Sequence, residues 1–199
     1  MKKAGVDKFT TMAFDSSHEK QVAMRTDSTA KNFKPSIAQF IRRAMLISEN
    51  DPYNRMYQFV GQEAANRKLI EKGYASSSIT RQFMGYTEEQ NRHTNGIRFF
   101  DDAGKMVYHQ QPAYNRDSFQ FPSAIMIGDK HINRNDELVD GPFDFTRHNN
   151  ISLDDMRQML QAMIYPSSVP NYQRFNISET DRLFMLQYMS QYPAETPYP

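Results

Sequence analysis

Apolar positions along the chain follow helical spacing in several separate stretches. After Pro35, Ser36 is placed to cap a helix in which Ile37, Phe40, Ile41, Ala44, Met45 and Ile47 mark one face for burial. Arg42 and Arg43 fall off that face. A polar triplet, Ser48-Glu49-Asn50, follows. Asp51-Pro52 then predicts a new helix with Asp51 as cap and Pro52 in the first turn. Tyr53, Met56, Tyr57, Phe59 and Val60 form its expected core side, and Gly61 ends it. A third short helix is expected over residues 62–72, stopped by Gly73. Residues 74–96 are polar and irregular, with one apolar patch at Phe83-Met84. In 97–110, two β-prone runs flank Asp-Asp-Ala-Gly, the pattern of a hairpin. Residues 111–150 read as a long loop rich in Asn, Asp, Pro and Phe, and long loops inside compact domains often carry function.

Two further helices carry plain start signals. Ser152 with Asp155 three residues on, and Ser178 with Asp181, have capping-box spacing. Leu153, Met156, Met159, Leu160, Met163 and Ile164 form the first stripe, closed by Pro166. Phe184, Met185, Tyr188 and Met189 form the second, closed by Pro193. Methionine stripes at this spacing read as core. Residues 1–35 read as a loop-rich entry. The expected fold class is mainly α with one β-hairpin, a single lobe over all 199 residues. The first residues read like the last turn of a helix and the final "PAETPYP" stops in mid-loop, so both ends read as cut.

Composition narrows the chemistry. The net charge of +1 comes from mixed acids and bases, so no clustered basic face argues for nucleic acid. There is no cysteine, which removes disulfides, thiolate nucleophiles and Cys-zinc sites without selecting a compartment. No apolar run approaches the roughly 18 residues of a membrane span. Met1-Lys2-Lys3 leads into Ala-Gly-Val-Asp rather than into the apolar core of a signal peptide. His18, His93, His109, His131 and His148 show no short metal-ligand spacing, and no Gly-rich phosphate loop occurs. The expectation is therefore no metal and no cofactor. The pairs Glu88-Glu89, Asp101-Asp102 and Asp154-Asp155 read as turns and helix starts. Two formal Ser-x-x-Lys matches, Ser17 to Lys20 and Ser28 to Lys31, lack the apolar helix that a buried serine–lysine pair needs. On spacing alone, Ser48-Glu49-Asn50 is a helix-end serine with an asparagine able to adopt the left-handed conformation.

The segment "SENDPYNRMYQFVGQ" resembles the Ser-Asp-Asn element of class A β-lactamases and their penicillin-binding-protein relatives. There the triplet lies between two helices of a helical lobe and precedes an Asn-bearing helix and a Gly. "NRHTNGIRFF" is similar to the stretch that closes that family's omega loop, placing Arg92 and Thr94 in supporting positions. "ELVDGPFDFTRHN" (137–149) and "YMSQYPAETPYP" (188–199) resemble segments of the class A β-lactamase-related serine hydrolases, in the same order.

The resemblance implies the helical lobe of an α+β β-lactamase/transpeptidase-like fold, and an acyl-enzyme hydrolase of β-lactams or related amide and peptide substrates. It implies that Ser48 passes a proton to the leaving group and that Asn50 binds the substrate amide. Glu49, where the family has Asp, takes a supporting role. It further implies a periplasmic or extracytoplasmic setting. The Ser-x-x-Lys helix, the Lys-Thr-Gly strand and the omega-loop glutamate have no counterpart in this sequence. The chain alone is thus expected to be inactive, and a helical face left without its sheet is expected to self-associate. The alternative is a non-catalytic binding or scaffolding remnant of the same fold.

Overall fold

The computed structural model describes residues 5–121, 123–133 and 135–195. It is an α+β mix, with more strand than one hairpin. The last residues of the "YMSQYPAETPYP" segment and the first four of the chain lie outside the described residues.

The hairpin residues form β2 (Ile97–Phe100) and β3 (Met106–Gln110), antiparallel, with a bulge at Phe99/Phe100. Their turn closes on Asp101, whose carboxylate accepts from the Lys105 amide at 2.8 Å, while Gly104 takes φ 79°. The entry segment is not all loop. Thr11–Phe14 forms β1 and pairs antiparallel with β2, setting Met12 opposite Phe99 and Phe14 opposite Ile97. β2 is thus the middle strand, and both neighbours shield its backbone. Met12, Phe14, Phe40, Ile97 and Phe99 are buried in one cluster, with Met24, Met56 and Phe59 packed against it.

Helix α1 (Ile37–Ile47) starts as expected, with the Ser36 hydroxyl accepting from the Gln39 amide. Its buried face is narrower than the sequence pattern suggests. Phe40 and Leu46 are buried, but Met45 and Ile47 are exposed because nothing among the described residues covers them. Arg43 is no surface residue either. It pairs with Asp27 at 3.3 Å and with Glu49. Helix α2 (Asn50–Val60) begins one residue before the expected cap, and Glu49 stands at its N-cap without a capping bond. The Glu49 carboxylate instead accepts from Arg43 Nε at 2.7 Å.

The expected core side of α2 is also revised. Tyr57 is buried, Val60 is exposed, and Asn54, Arg55 and Gln58 occupy buried positions. Gly61 turns the chain with φ 82° into α3 (Gln62–Glu71), yet the Gly61 amide still donates to Tyr57 and the Ala65 amide to Gly61. The irregular stretch after it contains α4 (Glu88–Asn91), closed by a capping box from Thr87 and Gln90.

The expected long loop 111–150 contains two nested antiparallel pairs. The outer pair is β4 (Met126–Ile127) with β7 (Phe143–Asp144), and the inner is β5 (Lys130–Ile132) with β6 (Leu138–Asp140). Such short strands among turn residues carry almost no periodic signal.

Helices α5 (Leu153–Ile164) and α6 (Glu179–Ser190) start at Ser152 and Ser178 as capped. Asp155 does not complete a capping box; it is buried and accepts from the Ser77 hydroxyl at 2.7 Å. The methionine stripe of α5 is only partly core. Met163 and Ala162 are buried, whereas Leu153 is 84% exposed and Met156, Leu160 and Ile164 are also exposed. No residue of α6 is fully buried. Among the described residues no helix is long and apolar enough to cross a membrane.

Candidate functional site

Four amides at every fourth position, Asn54, Gln58, Gln62 and Asn66, form a row along α2 and α3. Spacing by four keeps a row on one helical face. The row meets the extended segment 79–83 in antiparallel order. Asn54 Oδ1 accepts from the Phe83 amide at 2.8 Å. Gln58 Nε2 donates to the Gln82 side chain at 2.8 Å. Gln62 Nε2 donates to the Thr80 carbonyl at 2.6 Å, and Asn66 both accepts from and donates to Ile79. Buried amides are stable only when paired, and among the described residues this segment has no strand partner to supply the pairing. Asn91 adds a bond from the Gln82 amide at 2.8 Å, and Asn149 accepts from the amides of Thr80 and Arg81. The result is a fixed strip of backbone that carries two side chains, Arg81 and Gln82, into position.

Asn50 lines a cavity of about 660 Å³ with Arg81, Gln82, Phe83, His148 and Asn149. Ser48 sits beside it in the chain as the C-cap of α1, with φ 54° and ψ 37°. A non-glycine residue there carries a conformational cost. Ser48 is exposed and does not line the cavity. Glu49 is held by Arg43, and Asp51 by Arg55 at 3.2 Å, so the junction is braced by charge. Gln82 is fully buried; its carbonyl serves Gln58, while its amide nitrogen has no partner among the described residues.

Arg81 Nη1 lies 2.9 Å from His148 Nε2. Burial and the Arg81 charge lower the His148 pKa, so the imidazole is neutral near pH 7 and accepts this bond. The pair also walls a second cavity of about 480 Å³, which Arg92 lines. Arg92 Nη1 donates to the Asn115 and Asp117 carbonyls at 2.9 and 2.7 Å. Thr94 is structural. It is buried, its amide donates to the Ala113 carbonyl, and its hydroxyl accepts from the Ala113 amide, both at 2.8 Å.

Of the five residues singled out from the sequence, Asn50 and Arg92 line cavities that share the Arg81–His148 wall. Ser48 and Glu49 flank the first, and Thr94 staples the backbone. Arg81, His148 and Asn149 were not legible as site residues. Neither formal Ser-x-x-Lys match stands on a helix: Ser17 Oγ accepts from the Gly96 amide at 2.8 Å, and Ser28 lies in a turn. Among the described residues no group of three or more His, Cys, Asp or Glu is placed to hold a metal ion. Compared with known proteins, the chain matches no family model, no curated protein and no solved structure.

Proposed function

We propose that this chain forms one wall of the substrate cleft of a β-lactamase-like serine hydrolase, with Asn50 as the amide-binding residue. The observation that carries the reading is the placement of Asn50, at a braced helix junction, on a cavity faced by the pinned segment 81–83. The Asn-bearing helix that follows the triplet supplies that pinning through Asn54. A carboxamide at a cavity edge can donate to a substrate carbonyl and accept from its N–H. Ser48, two residues before Asn50 and outside the cavity lining, takes the proton-transfer role on this reading only when a nucleophile and base are supplied. Acyl transfer needs nucleophile, base and oxyanion donors together. The serines described above offer no such set, so the chain alone binds without acylating. An extracytoplasmic setting goes with the same reading.

Benzylpenicillin is expected to shift the Asn50 side-chain amide and the Ser48 and Gln82 backbone amides in a 1H–15N titration, while intact mass shows no adduct. Asn50→Ala is expected to abolish those shifts. A covalent adduct on Ser17 or Ser28 would overturn the assignment of the cleft. The same reading leaves the outer faces of α5 and α6 without their cover: Leu153 is 84% and Leu183 53% exposed. Reversible self-association by sedimentation equilibrium is expected, weakened in Leu153→Glu; a monomer at all concentrations would count against it.

A further inference from the structure

Two half-buried guanidiniums on one cavity, Arg81 and Arg92, have no carboxylate partner among the described residues. Partly desolvated charges are usually paired, because water no longer screens them fully. Among the described residues, the Arg81 guanidinium bonds the neutral His148 ring, at 2.9 Å. Arg92 uses Nη1 on the Asn115 and Asp117 carbonyls, which orient the fork without neutralising it. The rim adds Arg147, bound to Glu88 at 2.8 Å and lying over the Phe121 ring. Asp144 is the second carboxylate on the wall, and its bonds from Thr146 lower its pKa and keep it ionised. Three guanidiniums against two carboxylates leave a surplus of one positive charge.

The remaining wall is aromatic. Phe119 and Phe121 lie with ring centroids 6.2 Å apart, and the buried Tyr86 lines the same cavity. The volume, about 480 Å³, falls within the range of roughly 300–1,000 Å³ for small-molecule sites. A surplus of one charge suits a monoanion rather than a phosphate dianion. Planar forks suit a carboxylate, and ring walls suit an apolar body. We infer that this cavity binds an organic monocarboxylate with an aromatic body, its carboxylate on Arg81 and Arg92 and its ring against Phe119 and Phe121. The inference stands independently of the Asn50 cleft, which lies on the other side of the Arg81–His148 wall.

The probe is 3-phenylpropionate, followed by calorimetry and by 1H–15N spectra that also report whether each variant is folded. Saturable binding is expected, with shifts at Arg92, Phe119 and Phe121. The uncharged 3-phenylpropan-1-ol and the ringless inorganic phosphate are each expected to bind at least about tenfold more weakly. Arg81→Gln and Phe121→Ala are each expected to weaken 3-phenylpropionate by about tenfold. Asn50→Ala, which alters only the neighbouring cavity, is expected to leave its affinity unchanged. Absence of saturable binding to the folded chain overturns the proposal. So does equal affinity for the alcohol, or indifference to both cavity variants. Phosphate binding as tightly as 3-phenylpropionate overturns the aromatic half and leaves a simple anion site.

Discussion

Phe99→Ala is expected to lower stability by about 3–5 kcal/mol, the range for deleting a buried phenyl ring. Phe99 is fully buried on the middle strand of the sheet, and its ring meets Phe59 at 5.8 Å and Tyr108 at 5.9 Å. The surrounding residues come from α1 and α2 as well as from the sheet, so the space cannot close by a local shift. A typical domain has only about 5–15 kcal/mol in total. The core here is small, and much of the apolar surface of α5 and α6 remains in water. Thermal melts followed by circular dichroism are expected to shift by roughly 10 °C. A loss below about 1 kcal/mol would mean that the sheet does not anchor the molecule.

Asn91→Ala is expected to release the segment that presents Arg81 and Gln82, at a cost of about 1–3 kcal/mol. Asn91 is buried. Its Oδ1 accepts from the Gln82 amide at 2.8 Å, and its Nδ2 donates to the Thr87 carbonyl at 2.8 Å. Alanine leaves the amide of the fully buried Gln82 without its acceptor. Hydrogen exchange is the direct readout. Protection of the Gln82 amide is expected to fall by about tenfold to a hundredfold, with smaller losses at Thr80 and Phe83 and none in β2. Asn91→Asp keeps the acceptor and is expected to retain most of the protection of Gln82. Equal protection in wild type and Asn91→Ala would show that the amide row alone holds the segment.

The elements that were legible in the sequence are those whose signals are local. Ser36, Ser152 and Ser178 announce their helices because a cap is decided within three residues. The hairpin was legible because Asp101 and Gly104 specify its turn. β1 was not, since four residues, Thr11–Phe14, become a strand only by meeting a partner more than eighty positions away. Helical periodicity ranked the faces of α1 and α5 correctly as apolar, but it cannot say whether anything covers them; Met45 and Leu153 stayed exposed. In α2 the error ran the other way. Asn54 and Gln58 were not among the expected core positions, and they are buried because segment 79–83 supplies their partners. The junction at Ser48–Asn50 stood out by its polarity between two helices. The Arg81–His148 pair did not, because it joins residues 67 positions apart that belong to no local motif.

The row of amides on α2 and α3 fixes how this stretch can change. Residues on the outer face, such as Glu63 and Arg67, are exposed and can be exchanged without touching it. Residue count cannot. One residue inserted between Asn54 and Asn66 would swing everything after it by about 100° around the helix axis. Part of the row would then face solvent while its backbone partners in 79–83 stayed buried. The stretch thus acts as a ruler, open to substitution on one side and closed to insertion or deletion along its whole length.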